Sequence, residues 1–266
     1  MSQKPPLRLR IQFAVTRQVT RVLKYLGLRE LVVAWRLRAR RSWRGLFESR
    51  GSTRYSYPAL HGMDRKLDEV LDLDGGFFVE AGGFDGYVQS NTYYLERFRG
   101  WRGIVVEPMP ELAAEARLNR PNARVVQCAL VGDDYRDDTI EMDFGDLWSA
   151  VRGVHEEDWA AGGLVLGWRD HRTEQVPART LSHVLDEAAN GREVDLLSLD
   201  VEGYEGEVLR GLDYSRHAPR WILVEMHDLA AGRAEVGQIL GERYVEHAQL
   251  SPLDLLYRRR DVPAAP

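Results

Sequence analysis

The chain has 266 residues, 44% of them apolar and 29% charged, which is enough for one globular core with additions and excludes a disordered or fibrous polymer. A single cysteine, Cys128, excludes a disulfide framework and provides no zinc-ligand spacing, so a reducing, cytoplasmic compartment is expected. The net charge of −5 hides a split. Residues 1–50 hold 13 Lys/Arg against Glu30 and Glu48, a net of 13 − 2 = +11, which leaves −5 − 11 = −16 for the rest.

In chain order, the basic front comes first. Its apolar stretches, such as Leu31–Trp35, are too short to span a bilayer and are interrupted by arginine, and no small-residue cleavage site follows. Residues 8–46 read as one or two amphipathic helices, and residues 1–60 as a helical extension ahead of a domain over 61–266. Two roles compete for the front. It could lie on an anionic surface at the inner face of a membrane, or its arginine face could pack on the domain or on a second subunit of a homodimer. Nucleic acid is not an expected partner, because the remaining chain is acidic and carries no stacking or base-reading motif.

After a linker around 51–57, a short helix over 64–71 leads into a strand at 77–80. Then come a helix over 90–98, a strand at 103–107, a helix over 110–118 with proline in its first turn, and a strand at 124–128. The alternation returns with a helix over 180–189 capped by Thr180, a buried strand at 194–200, a helix over 204–212 and a strand at 221–226. Residues 243–249 and 253–259 read as two strands joined through Ser251-Pro252. A mostly parallel seven-stranded sheet closed by an antiparallel C-terminal hairpin is the outline of a Rossmann-like α/β methyltransferase fold.

The first strand runs into Glu80-Ala81-Gly82-Gly83-Phe84-Asp85-Gly86, and the second ends in Glu107 about 20 residues after the last glycine, the spacing of a nucleotide-binding βαβ unit. A dinucleotide pyrophosphate would need bare N–H groups at a helix N-terminus, and here Glu80 and Asp85 bracket the turn. S-Adenosylmethionine has a sulfonium, an ammonium and no phosphate. Glu80 could accept from its amino-acid end, and Glu107 could take both ribose hydroxyls, with Pro108 and Met109 flanking the adenine. Ser90, Asn91 and Thr92, with Cys128 and Ala129 at the end of the third strand, are assigned to the same cleft, although Cys128 also reads as plain core.

The stretch 145–175 breaks the alternation and has no clean period, which is typical of a lid or binding insertion. Trp148, Trp159, Trp168 and His155, with Tyr204, are candidates for a sugar-binding platform, since aromatic faces stack on the C–H face of a sugar ring. The tryptophans could equally just pack the insertion onto the sheet.

Asp200 ends the fourth strand of the alternating series and Glu225-Met226-His227-Asp228 the fifth, both at the carboxyl edge where such folds bind ligands. Methyl transfer to an alcohol needs in-line approach and removal of a weakly acidic proton. Either His227 is the base, with Asp200 or Glu202 as the orienting carboxylate, or Asp200, Glu225 and His227 hold Mg²⁺ or Mn²⁺ that acidifies the hydroxyl. Glu202 and Glu205 could also simply satisfy a helix N-terminus.

The run Phe78–Gly86, Ser90-Asn91-Thr92, Gly100-Trp101-Arg102-Gly103 before Val106-Glu107-Pro108, and Leu199-Asp200-Val201-Glu202-Gly203-Tyr204-Glu205 with Val208-Leu209-Arg210-Gly211 resembles the FkbM-type methyltransferases. The likeness covers roughly residues 70–260 as several ordered motifs. It implies S-adenosylmethionine-dependent O-methylation, usually of sugars or hydroxylated natural products. Gly83-Phe84 stands where that family commonly has Ala-Asn. The expected function is therefore a bacterial enzyme methylating a hydroxyl of a sugar or glycan acceptor. The alternatives are a non-sugar hydroxyl or amine as acceptor, or a non-catalytic docking module on the same fold.

Overall fold

The computed structural model describes residues 29–145, 148–151 and 172–263. The chain separates into two compact units, Met1–Tyr55 and Ser56–Pro266. Among the described residues of the first, the helix α1 (Arg29–Glu48) overlaps the region 8–46 read as amphipathic helices and runs two residues past it.

The second unit is built on a seven-stranded sheet. Its strands are β1 (Phe77–Ala81), β2 (Arg102–Val106), β3 (Ala123–Val126), β8 (Leu196–Leu199), β9 (Trp221–Glu225), β10 (Tyr244–Gln249) and β11 (Asp254–Arg259), in the order 10-11-9-8-1-2-3. Six strands are parallel and β11 alone runs against its neighbours β9 and β10. The fold is the Rossmann-like methyltransferase arrangement, with the order reversing beside β1.

Helices cover both faces because the central strands are apolar on both sides. Phe77, Val79 and Ala81 of β1 join a core with Leu181, Val184 and Leu185 of α5 (Leu181–Ala188), Val208 and Leu209 of α6 (Glu205–Arg210), and Val236 and Leu240 of α7 (Leu229–Leu240). Phe78 points the other way. It packs with Met63 and Leu67 of α2 (Met63–Leu71), Leu95 of α3 (Tyr93–Phe98) and Trp101, whose indole N–H donates to the Leu73 carbonyl at 2.6 Å. The hydroxyl of Thr180 caps α5 by accepting from the His183 N–H, as its sequence suggested.

The region between β3 and α5 differs from a simple insertion. Short strands β4 (Ala129–Val131), β5 (Thr139–Gly145), β6 (Trp148–Val151) and β7 (Arg172–Thr180) form a second sheet in the order 4-7-5-6. Ile140 pairs across from Val176, and both turn inward with Met142, Ala129 and Val131 to make a small separate core. The alternation in Thr139–Gly145 carries this strand, with polar residues filling the outward positions. Residues 152–171, including Trp159, Trp168 and His155, lie outside the described residues.

Candidate active site

Strand register aligns the chemistry. Ala81 pairs with Val106 on one side and Leu199 on the other, and Leu199 pairs with Val224, so the next residues, Gly82, Glu107, Asp200 and Glu225, emerge at one level of the carboxyl edge. A cleft of about 930 Å³, open to solvent, lies over this edge, and Leu130 and Met142 of the second sheet border it. Gly82 is required here for two reasons. Its φ is +82°, and a Cβ would stand 1.7 Å from the Asp200 carbonyl oxygen.

Glu107 is nearly fully buried in the cleft wall. Its two oxygens accept from the Phe84 N–H and the Met109 N–H, both at 2.9 Å. Burial pushes its carboxyl up to about 8, against the pull of those two donors. Each oxygen keeps a second lone pair, which suits a pair of vicinal hydroxyls.

Glu80, which also borders the cleft, is held by several donors of its own chain. One oxygen accepts from the Asn91 N–H at 2.7 Å. The other accepts from Thr92 Oγ1 at 2.8 Å and Arg120 at 2.8 Å, and the Ser90 hydroxyl sits 2.9–3.0 Å from both. The carboxylate that was expected to receive the cofactor's ammonium is instead engaged by the loop that follows its own strand. Arg120, fully buried at the end of α4 (Pro110–Asn119), also holds Glu96 at 2.5 Å and Thr92 Oγ1 at 2.7 Å. A charged trio therefore braces the Gly82–Thr92 loop from behind. Asp85 reinforces it by accepting from the Tyr87 and Val88 N–H groups at 2.9 and 2.7 Å.

On the other side of the cleft, Asp200 and Glu225 lie side by side on adjacent strands. Burial and the Glu225 charge hold Asp200 well above its usual range, and a hydrogen bond joins the two carboxyl groups. His227 Nε2 stands 3.0 Å from Glu202 Oε2. That bond, ahead of the opposing effect of burial, raises the imidazole above its ordinary value of 6.5. Glu202 has a φ of +55°, and the turn is fixed by Glu205, whose carboxylate accepts from the Val201 and Gly203 N–H groups at 3.1 Å.

This pairing does not fit the expected cation site. Asp200 is satisfied by Glu225 and His227 is turned to Glu202. Among the described residues no three His, Cys, Asp or Glu side chains form a group that could hold a metal ion. The arrangement instead offers an imidazole oriented by a carboxylate beside a proton-sharing carboxyl pair.

The sequence matches the methyltransferase FkbM domain over residues 80–250, more than half of the chain. The chain belongs to the FkbM methyltransferase family. Methyltransferase 1 of Beauveria bassiana (strain ARSEF 2860) is 28% identical to it over 162 residues, which cover 57% of this chain and 64% of that protein, so the chain spans less than two thirds of its relative's length. Among solved structures, methyltransferase FkbM from Methylobacillus flagellatus KT is 14% identical over 73% of this chain and 50% of its own, with a TM-score of 0.44. Fibrillarin from Aeropyrum pernix, solved with natively bound S-adenosyl-L-methionine, is 12% identical over 77% of this chain and 76% of its own, with a TM-score of 0.43.

Of the residues expected to form this FkbM site, Glu80, Gly82, Asn91, Glu107, Pro108, Cys128, Ala129, Asp200, Glu202 and Tyr204 line the cleft. Gly83, Asp85, Gly86, Ser90, Thr92 and Met109 shape its walls from behind: a Cβ on Gly83 would meet Val105 at 2.1 Å, and one on Gly86 would meet Arg120 at 2.8 Å. Cys128 is buried, which pushes its thiol up to about 12 and makes it an inert wall. Trp148 belongs to β6, but its side chain is outside the described residues. Sequence reading missed Arg120, and also Phe84, Val88, Gln89, Ser198, Leu130 and Met142 of the cleft. Phe84 stands out only as the departure from the family's Ala-Asn, and it adopts a φ of +48° that an asparagine would accept more easily.

Proposed function

We propose that the protein transfers the methyl group of S-adenosylmethionine to a hydroxyl of a sugar, in a polysaccharide precursor or a glycosylated natural product, with His227 as the general base. The observation that carries this reading is the His227–Glu202 pair at the carboxyl edge, 3.0 Å apart, next to the cleft that Glu107 and the glycine loop form. With Nε2–H donating to Glu202, Nδ1 is the basic nitrogen. As the acceptor oxygen attacks the methyl carbon, its proton passes to His227, the C–S bond breaks, and its electrons remain on sulfur to leave neutral S-adenosylhomocysteine. Glu107 would hold the ribose, and the braced Gly82–Thr92 loop would carry the methionine end. The resemblance to FkbM-type enzymes supports a sugar as acceptor.

A panel of defined saccharides, assayed for transfer of a labelled methyl group, tests the reading. Methylation of at least one sugar hydroxyl, lost in His227→Ala with S-adenosylhomocysteine binding retained, is the expected outcome. Transfer to amines or to non-sugar hydroxyls alone would replace the acceptor class, and full activity in His227→Ala would remove the base.

A further inference from the structure

We propose that the segment Arg38–Tyr55 is a docking surface for an anionic lipid bilayer. Of the six large apolar side chains exposed among the described residues, three fall within 13 positions: Trp43 at 63%, Leu46 at 44% and Tyr55 at 42%. They are organised rather than scattered. Trp43 stacks on Phe47 with ring centroids 6.4 Å apart, and Tyr55 meets the same Phe47 ring edge-on at 5.2 Å.

Arginines border this aromatic cluster. Arg38, Arg40, Arg50 and Arg54 are exposed, and the Arg54 guanidinium lies 5.6 Å from the centre of the Tyr55 ring. The segment holds six arginines and one acid, Glu48, a net of 6 − 1 = +5, and Glu48 lies 4.0 Å from Arg44. Water is a poor solvent for three clustered aromatic rings, and a basic surface alone has no use for them. At the headgroup–acyl boundary both features are used at once: tryptophan and tyrosine rings settle at the headgroup level, and guanidinium groups reach phosphates. An acidic protein would match the charge and leave the exposed indole unexplained. Among the described residues no helix is long and apolar enough to cross a membrane, so the contact is one of lying on the surface.

Co-sedimentation of the full chain with vesicles tests this. Binding is expected to vesicles of phosphatidylcholine mixed with phosphatidylglycerol, not to phosphatidylcholine alone, and to fall as salt rises toward about 1 M. Trp43→Ala with Leu46→Ala should lower the vesicle affinity about tenfold or more, and Arg38→Ser with Arg40→Ser by a similar factor. Both variants should keep the helical circular dichroism and the gel-filtration volume of the unsubstituted chain, which shows that the substituted segment still folds. Absence of binding to the mixed vesicles would overturn the proposal. So would unchanged binding in the Trp43/Leu46 variant, or full competition by soluble polyglutamate, since either result would mean charge attraction that an acidic protein could equally provide.

Discussion

Glu107 is the side chain whose ionisation matters most for the cofactor pocket. Its folded value of about 8 lies above the ordinary carboxylate value of 4.5, so the stability linked to it is complete below pH 4.5 and lost as pH rises through about 8. In thermal scans of the ligand-free protein, the melting temperature should therefore fall as pH rises from about 5 to about 8, and Glu107→Gln, which has no proton to lose, should remove that fall. On the ribose contact proposed above, cofactor binding has the opposite sign, because two hydroxyls donate best to an ionised carboxylate. The affinity for S-adenosylhomocysteine, followed by calorimetry, should grow over the same interval and lose that slope in Glu107→Gln. As the proposed base, His227 should set a second pH dependence. Only the neutral imidazole accepts a proton, so kcat/KM should rise with pH through a value above 6.5. His227→Ala should lower the rate by about 10²–10⁴-fold. Because Asp200 and His227 are each engaged by another side chain, turnover is expected to survive chelator, and its abolition by EDTA with recovery on adding Mg²⁺ would show that this pairing rearranges in the working enzyme. Arg120 belongs to stability. Arg120→Met leaves Glu80 and Glu96 buried without their cation and should cost about 3–5 kcal/mol in denaturant titration.

At the level of single elements, the β1-to-α3 loop tolerates little. Gly82→Ala should abolish cofactor binding, because the methyl group meets the Asp200 backbone and the left-handed φ disfavours it as well. Gly100→Ala, also at positive φ but with open space around it, should cost only about 1 kcal/mol and spare binding. Comparing the two by calorimetry separates crowding from backbone strain. The same contrast explains which elements could be read from the sequence. Strands β1, β2, β8 and β9 are apolar on both faces and end in Gly or acid residues, so their type, order and chemistry were legible to within two or three residues. Strands β5 and β7 were not. They pair with each other across a long insertion, and threonine, glutamate and glutamine on their outward face dilute the alternation of Ile140, Met142 and Val176. The candidate site was legible where a backbone requirement showed through, as at Gly82, or where a strand end delivered a carboxylate, as at Glu107. Partner choice was not legible. Nothing in the sequence marks Arg120, at the end of a helix and before Pro121, as anything other than a solvated cation, and so nothing showed that Glu80 would be engaged.

On the scale of the whole chain, every residue bordering the cleft belongs to the unit Ser56–Pro266. A protein starting at Ser56 should therefore bind S-adenosylhomocysteine with an affinity within about twofold of the full chain. A large loss in calorimetry, or failure of the shortened chain to fold, would make the front a part of the methyltransferase domain. The buried trio behind the glycine loop also has a meaning in time. Glu80 and Arg120 are separated by 40 positions, so a growing chain exposes β1 and both acids well before their cation has been synthesised. Until α4 arrives, the carboxylates of Glu80 and Glu96 have every reason to remain hydrated, and the loop between them cannot close. The cleft is thus completed by a residue outside its lining, and its assembly waits on the helix that leads into the third strand.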